Sequence, residues 1–524
     1  MRPGAGDGVG DGVGDGVVTG PREHELDSGS DSGSGSEMPA AEVLVEGLAA
    51  AVSLAPSGGG VALGGELLLD EEGRPGVESM RAGLLQAGPL AAAGVLANGA
   101  NVIVTIALAR LLSPHSYGVL NQLTGLFLIL SMPGSAVVVA VVRRVTMWHD
   151  EGSGHLVRRW AGRVHRQGFL VVLAWGVVVF TTRHWIALLL GQRSGVGIAA
   201  ILTAAAFFVL LSLDRGLLQA RRAYRPLALN LLVEGGMRTV AVLVLVGAGQ
   251  GSSGAAVGIL VAEAATAAHA RYAAVRAWSV DGIGAPASRR PPASSWLSGW
   301  TGAIRRDHVL DSSRLARHRV VVDLVIASLS LSMVAVLQNV DVLVVGRDSP
   351  AHSGAYAAVS VTSKAIVFGA VVLGSYLLPE AAIRWRQGGH ALRQLGVVLV
   401  LLAVPAAALL AIGLGAPHLL LKVVFHHAYT SAAAALAPLV GAMILLSISV
   451  ILTMYLLAIG RRWVAGVLAA GGLALGLAVS LVHGRPHSTA VVDLAVQAGV
   501  LVVLVIGFTV VHSIRLRRHP VGLS

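Results

Sequence analysis

Among the ionisable side chains inside runs of mostly apolar residues, five are candidates for function: Glu234, Arg238, Glu263, Asp341 and Lys364. A charge at the centre of a membrane helix costs ~2.5–3.5 kcal/mol on insertion scales and normally faces a cavity or an opposite charge. Glu234 and Arg238 are four residues apart, hence on one helical face with the acid N-terminal to the base. Two readings fit them. They form a self-neutralising structural pair, or they line a cavity in which the planar guanidinium grips phosphate oxygens two at a time. Asp341 and Lys364 fall on adjacent antiparallel segments, as a structural ion pair or as a gate or proton/sodium-coupling pair whose charge changes when a cavity switches sides. Glu263, mid-segment, is placed to complete a cavity. Pro133-Gly134, Pro405 and Pro438 are expected to kink their helices, as hinges or as packing irregularities. His426 and His427 lack a third ligand, so no metal is expected there.

The elements that carry these groups are set by composition. The chain has 524 residues, 55% hydrophobic and 13% charged, and a mean hydropathy of +0.73. A soluble domain carries about 25% charged residues, so much of this surface must face lipid. Twelve apolar runs of spanning length, about 20 residues each, lie near 84–109, 118–142, 168–190, 195–213, 226–248 and 254–275, then 320–346, 353–379, 395–416, 431–459, 463–483 and 489–512. They are continuously apolar instead of alternating, which disfavours a β-barrel. The fold class expected is an all-α polytopic membrane protein of about twelve helices in two six-helix bundles, 81–276 and 319–514. Cysteine is absent, which removes disulfides, thiolate metal sites and cysteine nucleophiles together. No phosphate-binding Gly-Lys-Ser/Thr loop, nucleophile elbow or zinc-protease pattern is present. Neither a cofactor nor covalent catalysis is expected.

Charge then orients the bundle. Residues 1–80 hold 15 acids against 3 arginines, and the remainder 13 acids against 36 basic residues. The first segment, with its Gly-Asp-Gly-Val repeat and Ser/Gly run, is expected to be a disordered acidic tail, with Met38 and Met80 as alternative starts. In the rest, alternate connections carry 27 Lys and Arg, among them Arg143 to Arg166 and Arg215 to Arg225, against 6 on the opposite side. That bias places both termini in the cytoplasm of a bacterial cell, including a basic C-terminal tail at 515–524. It explains the basic character without nucleic acid. Residues 277–318, rich in Pro, Gly, Ser and Arg, read as a flexible basic linker between the halves.

The halves also echo each other. Asn101-Val-Ile-Val-Thr-Ile-Ala-Leu-Ala-Arg110-Leu-Leu-Ser113-Pro114-His-Ser-Tyr117-Gly118 is matched by Asn339-Val-Asp341-Val-Leu-Val-Val-Gly-Arg347-Asp-Ser349-Pro350-Ala-His-Ser-Gly354-Ala-Tyr356. Each has an intramembrane Asn, an apolar stretch, Arg, Ser-Pro and a Gly/Tyr pair opening the next helix. Repeated halves with a route between them are a known transporter plan.

Together with Met132-Pro-Gly134, Arg143-Arg144, Arg215-Gly-Leu-Leu-Gln219-Ala-Arg-Arg222 and Tyr376-Leu-Leu-Pro379-Glu380, these segments make residues 84–485 resemble the polysaccharide transporter branch of the multidrug/oligosaccharidyl-lipid/polysaccharide exporter superfamily. That branch includes O-antigen and related lipid-linked oligosaccharide flippases. The resemblance implies a V-shaped pair of bundles working by alternating access on a lipid-linked oligosaccharide, with glycosyltransferases or a polymerase of the same pathway as partners. It implies that Glu234 and Arg238 meet the anionic pyrophosphate of the carrier lipid, and that Asp341 matches a recurrent acidic position. Asn101 and Asn339 then count as cavity candidates. The other readings are a small-molecule antiporter of the multidrug or major facilitator type, and a non-transporting scaffold of envelope assembly. Against the facilitator, the connection after the second span is some 25 residues long and lacks that family's short Asp-Arg-Gly-Arg turn.

Overall fold

A computed structural model describes residues 77–150, 154–192, 194–279, 301–386 and 392–518, and among them every regular element is helical. In the first half these are α1 (Val77–Leu111), α2 (Pro114–Ser131), α3 (Pro133–Asp150), α4 (Gly154–Leu189), α5 (Gly195–Ala220), α6 (Tyr224–Leu245) and α7 (Gly251–Ser279). The second half has α8 (Thr301–Asp348), α9 (Ser353–Arg386), α10 (Leu392–Gly415), the short α11 (Pro417–Val424), a 3₁₀ turn at His427–Ala435, α12 (Leu436–Ala458), α13 (Trp463–Leu481) and α14 (Pro486–Arg518). Helices satisfy every backbone polar group internally, which is what lipid demands. Among the described residues, eleven continuous stretches are long and apolar enough to cross a membrane. The longest, Tyr224–Ser279, turns back at Gly249 (φ 81°) and Gly251 (φ 56°), where a side chain would be strained, so it supplies two spans and the total is twelve. The chain is a multi-pass membrane protein.

The packing repeats as the sequence does. In the first half α1 packs on α6, α3 on α5, α4 on α5, α5 on α7, and α6 on α7. In the second half the corresponding pairs are α8 on α13, α9 on α12, α10 on α12, α12 on α14, and α13 on α14. Between the halves, α2 lies against both α8 and α9.

The second span is two helices. Pro133 opens α3 with no N–H to give, and the chain breaks at Met132. Gly134 lets that break sit against α5: a Cβ there would come within 2.6 Å of Ser212 Oγ and 2.9 Å of Phe208 Cε1. Pro405 lies inside α10 on its exposed side. Pro438 differs from expectation. It is third in α12, in the first turn where no N–H has an intrahelical acceptor, so it opens a helix and does not kink one.

One other boundary differs. Residues 301–318, read as the end of a flexible linker, are the first part of the 48-residue α8, because no proline follows Pro292 before Pro350. Residues 280–300 and the parts 1–76 and 519–524 of the expected tails lie outside the described residues.

One apolar core runs through the second half and on into the first, joining Tyr117, Leu123 and Phe208 to Tyr356, Tyr429 and Leu446. A separate core at the arginine-rich end of the first half, built from Val145, Val157, Leu217, Leu231 and Ala274 among others, contains no residue of the second half among the described side chains. Among the described side chains the halves thus share a core at the Ser-Pro end, while the arginine-rich end of the first half has a core of its own, with α3 also lying against α8.

Candidate functional site

α5, α6 and α7 converge on a chain of buried polar groups. Arg215 on α5, only 2% exposed, donates from Nη2 to Glu234 Oε2 at 2.6 Å and from Nε to Asn230 Oδ1 at 2.8 Å. Asn230 Nδ2 donates to the Thr266 carbonyl at 3.0 Å and lies 3.1 Å from His269 Nδ1. Glu234 Oε1 accepts from Arg238 Nη2 at 3.0 Å, and Arg238 pairs directly with Glu263 on α7. The structure thus unites Glu234, Arg238 and Glu263 in one network and adds Arg215, Asn230 and His269 to it. Two carboxylates balance two guanidiniums. Arg238 is the member of the ion-pair set with an open flank: its side chain is 17% exposed and lies 5.6 Å over the Phe127 ring of α2.

Arg215 is a correction. Its position among the connection arginines made it a topology determinant in sequence, yet it lies on the buried face of α5 beside Asp214. The Asp214 carboxylate accepts from Arg271 of α7 at 3.2 Å, and its other oxygen lies 2.9 Å from His165 Nδ1 of α4. The signal that could have found Arg215 is the 3.6-residue period. Leu211, Arg215 and Leu218 share one face, and that face is apolar above and below the arginine.

In the second half the expected Asp341–Lys364 ion pair is not formed directly. Lys364 Nζ donates to Asn339 Oδ1 at 3.2 Å, and Asp341 Oδ2 accepts from the Tyr356 hydroxyl at 2.8 Å. Asn339 and Asp341 are two residues apart, about 200° around a helix, and so address different neighbours. Asp341 and Lys364 still act on each other electrostatically, together with Asp493 of α14. Asp493 Oδ1 accepts from Gln497 Nε2 at 3.1 Å, and the same amide donates to the Leu337 carbonyl at 3.2 Å. One oxygen each of Asp341 and Asp493, and Gln497 Oε1, accept no hydrogen bond. Two carboxylates with spare lone pairs beside one ammonium can take a proton or exchange partners. The first half has no counterpart: Ile103 follows Asn101 at the same interval and is 70% exposed. Asn101 itself is half-buried, its carbonyl accepting the Thr105 hydroxyl.

The repeated Ser-Pro segments meet each other. Ser113 caps α2, accepting the Ser116 N–H, and Pro114 follows at the first helical position. A Cβ on Gly354 would collide with the Pro114 carbonyl, and one on Gly118 would lie 2.7 Å from the Gly354 nitrogen. Gln122 donates to the Leu343 carbonyl at 3.0 Å, Tyr429 donates to the Ala109 carbonyl at 2.6 Å, and the Arg110 guanidinium reaches the Val423 carbonyl at 3.3 Å. His426 Nδ1 accepts the Ala428 N–H at 3.4 Å, at the start of the 3₁₀ turn.

No family model matches the sequence, and no curated protein matches it. Solved structures do. A multidrug-resistance MATE-family transporter of the MOP superfamily, in an inward-facing conformation, superposes with a TM-score of 0.56 at 12% identity over 79% of this chain and 95% of that one. The lipid II flippase MurJ, in an inward closed conformation, gives 0.51 at 11% identity over 80% of this chain and 87% of that one. At these identities the likeness is one of fold: the chain has the polytopic fold of these two transporters.

Proposed function

We propose that this protein is a flippase that carries a lipid-linked oligosaccharide or polysaccharide precursor from the inner to the outer leaflet of a bacterial cytoplasmic membrane by alternating access. The observation that carries the reading is the arrangement of the cores. Two halves with the same internal packing share one core at the Ser-Pro end, while the arginine-rich end of the first half has a core of its own. A body hinged in that way opens toward the arginine-rich side, which the loop-charge bias favours as the cytoplasmic face, with both termini on it. Pro133-Gly134 and Pro405 are then the hinge candidates. The motif order described above favours a lipid-linked sugar, and glycosyltransferases or a polymerase of the same pathway become natural partners. Transport without covalent chemistry suffices.

In this reading Arg238, with its open flank at α2, meets the anionic group of the substrate, while Glu234 and Glu263 hold it in place. Loss of one charge-assisted hydrogen bond removes about 1.5–3 kcal/mol, so Arg238→Ala is expected to cut export at least ~tenfold with membrane insertion intact. Flipping of a lipid-linked oligosaccharide in proteoliposomes checks this, and export at the parent rate removes Arg238 from the mechanism.

Asp341, with Lys364, Asp493 and Tyr356 around it, is the proposed coupling centre. Asp341→Asn keeps the shape and one acceptor but cannot change charge. Its transport is expected to lose dependence on an imposed proton or sodium gradient while uncoupled equilibration continues. An unchanged gradient dependence in vesicles ends the coupling role.

A small-molecule antiporter is the second reading, favoured by the superposition on a multidrug-resistance transporter. Gradient-driven efflux of a cationic dye, with no flipping of lipid-linked sugars, would decide for it. A non-transporting scaffold of envelope assembly has only the acidic N-terminal segment in its favour.

A further inference from the structure

A wedge-shaped cavity of about 450 Å³ lies outside both polar clusters, between α3, α4 and α5. Val137, Val164, Val171, Trp175, Ala206 and Leu213 are among its walls. The indole N–H of Trp175 is already donated to the Leu202 carbonyl at 3.1 Å, so the walls offer a guest hydrocarbon contact. α4 is a peripheral helix whose far side presents Phe169, Leu170 and Val177 outward. Its Val171 is 67% exposed at the rim of the cavity, which therefore communicates with lipid.

The depth of the wedge matches one leaflet. Val164 and Trp175 mark its ends on α4, and eleven residues of helix span about 16 Å, half of a hydrocarbon core of about 30 Å. Polar ties stand at both ends: the Trp175–Leu202 bond toward the Ser-Pro side and the His165–Asp214 contact at the arginine-rich end. At that same end Trp148 of α3 and Trp160 of α4 pack edge to face with centroids 5.4 Å apart, and the Arg144 guanidinium lies 4.5 Å over Trp148. Arg158, Arg159, Arg163 and Arg166 are all exposed on the first turns of α4. Among the described acids at that end, Asp214 is fully buried, accepts from Arg271 and lies 2.9 Å from His165 Nδ1. An apolar slot of that depth under a rim rich in exposed arginine fits one kind of molecule.

We propose that the α3–α4–α5 wedge binds one acyl chain of an anionic phospholipid from the arginine-side leaflet, with its phosphate seated among Arg163, Arg166 and Arg144. The site is separate from any substrate route between the halves and does not depend on which substrate is carried. A lipid held there fills the gap that otherwise leaves α4 supported mainly by α5.

The test uses the full-length protein in nanodiscs of equal phosphatidylglycerol and phosphatidylcholine, doped with a polyprenyl phosphate and released for native mass spectrometry. One retained phosphatidylglycerol is expected, in preference to phosphatidylcholine by about fivefold for each arginine engaged. Ala206→Phe fills the wedge and is expected to lower that retention at least ~tenfold at an unchanged unfolding temperature, a loss of 1.4 kcal/mol or more. Val171→Trp at the lipid-facing rim does the same should the phenylalanine not be accommodated. The pair Arg163→Gln and Arg166→Gln should keep a bound lipid and lose the headgroup preference. Equal retention of the two phospholipids, retention of polyprenyl phosphate in their place, or full retention in both filled variants overturns the proposal.

Discussion

Glu234→Ala is expected to destabilise the protein more than any other single truncation in the first-half network, by about 3–5 kcal/mol. Glu234 is the shared acceptor: one oxygen takes Arg215 at 2.6 Å and the other takes Arg238 at 3.0 Å. Its removal leaves Arg238 with Glu263, but leaves Arg215, at 2% exposure, with only the neutral Asn230 amide. A guanidinium cannot shed its charge to escape an apolar site. The opposite deletion is milder. Arg238→Ala leaves Glu234 with Arg215, and a carboxyl group that loses its partner can take up a proton. The asymmetry is measurable as the thermal unfolding midpoint and monodisperse yield of the two variants in the same detergent. The double variant Arg215→Met with Glu234→Leu, which removes both charges at similar volume, is expected to recover most of what Glu234→Ala loses. Should Glu234→Ala unfold no earlier than Arg238→Ala, the network is not the structural centre of the first half.

How much of this was readable beforehand depends on what each feature is made of. The twelve spans were legible because a run of about 20 apolar residues has few other fates, and the break at Pro133-Gly134 because proline and glycine act locally. The repeat was legible because Ser113-Pro114 and Ser349-Pro350 carry their own turn chemistry. Lateral neighbours were not. Asp341 and Lys364 have the right depth for each other, but rotation about α8 brings Asn339 to Lys364 and leaves Asp341 to Tyr356. Asp493 stands seven residues after Pro486 and looks like an interfacial acid until α8 and α9 are packed around it. Arg215 was hidden among real loop arginines, since charge counting registers number and not facing. Composition misled at residues 301–318, where the serines and arginines that suggest a linker are also compatible with a helix continuing into α8.

The seam between the halves gives the second large effect. Gly354→Val is expected to abolish most transport without unfolding either half. The collision is between backbones: the new Cβ meets the carbonyl of Pro114, and neither atom belongs to a flexible side chain that can swing away. Overpacking of this kind costs ~3 kcal/mol, which shifts the balance away from the joined arrangement by about a hundredfold. The cost falls on that arrangement alone, because Gly354 and Pro114 belong to different halves and are brought together only when α2 lies against α9. In the proposed cycle the protein visits both arrangements, so disfavouring one by that factor slows the cycle even though the proposed substrate-facing residues are untouched. The chain has no cysteine, so Gln122→Cys, 4% exposed at the seam, provides a unique thiol. Its reaction with a membrane-impermeant thiol reagent added from the Ser-Pro side should be slow alone and at least ~tenfold faster with Gly354→Val added, as the seam spends more time apart. Equal labelling rates together with undiminished transport would mean that the contact of the two Ser-Pro repeats is incidental, and that the halves separate somewhere other than at this seam.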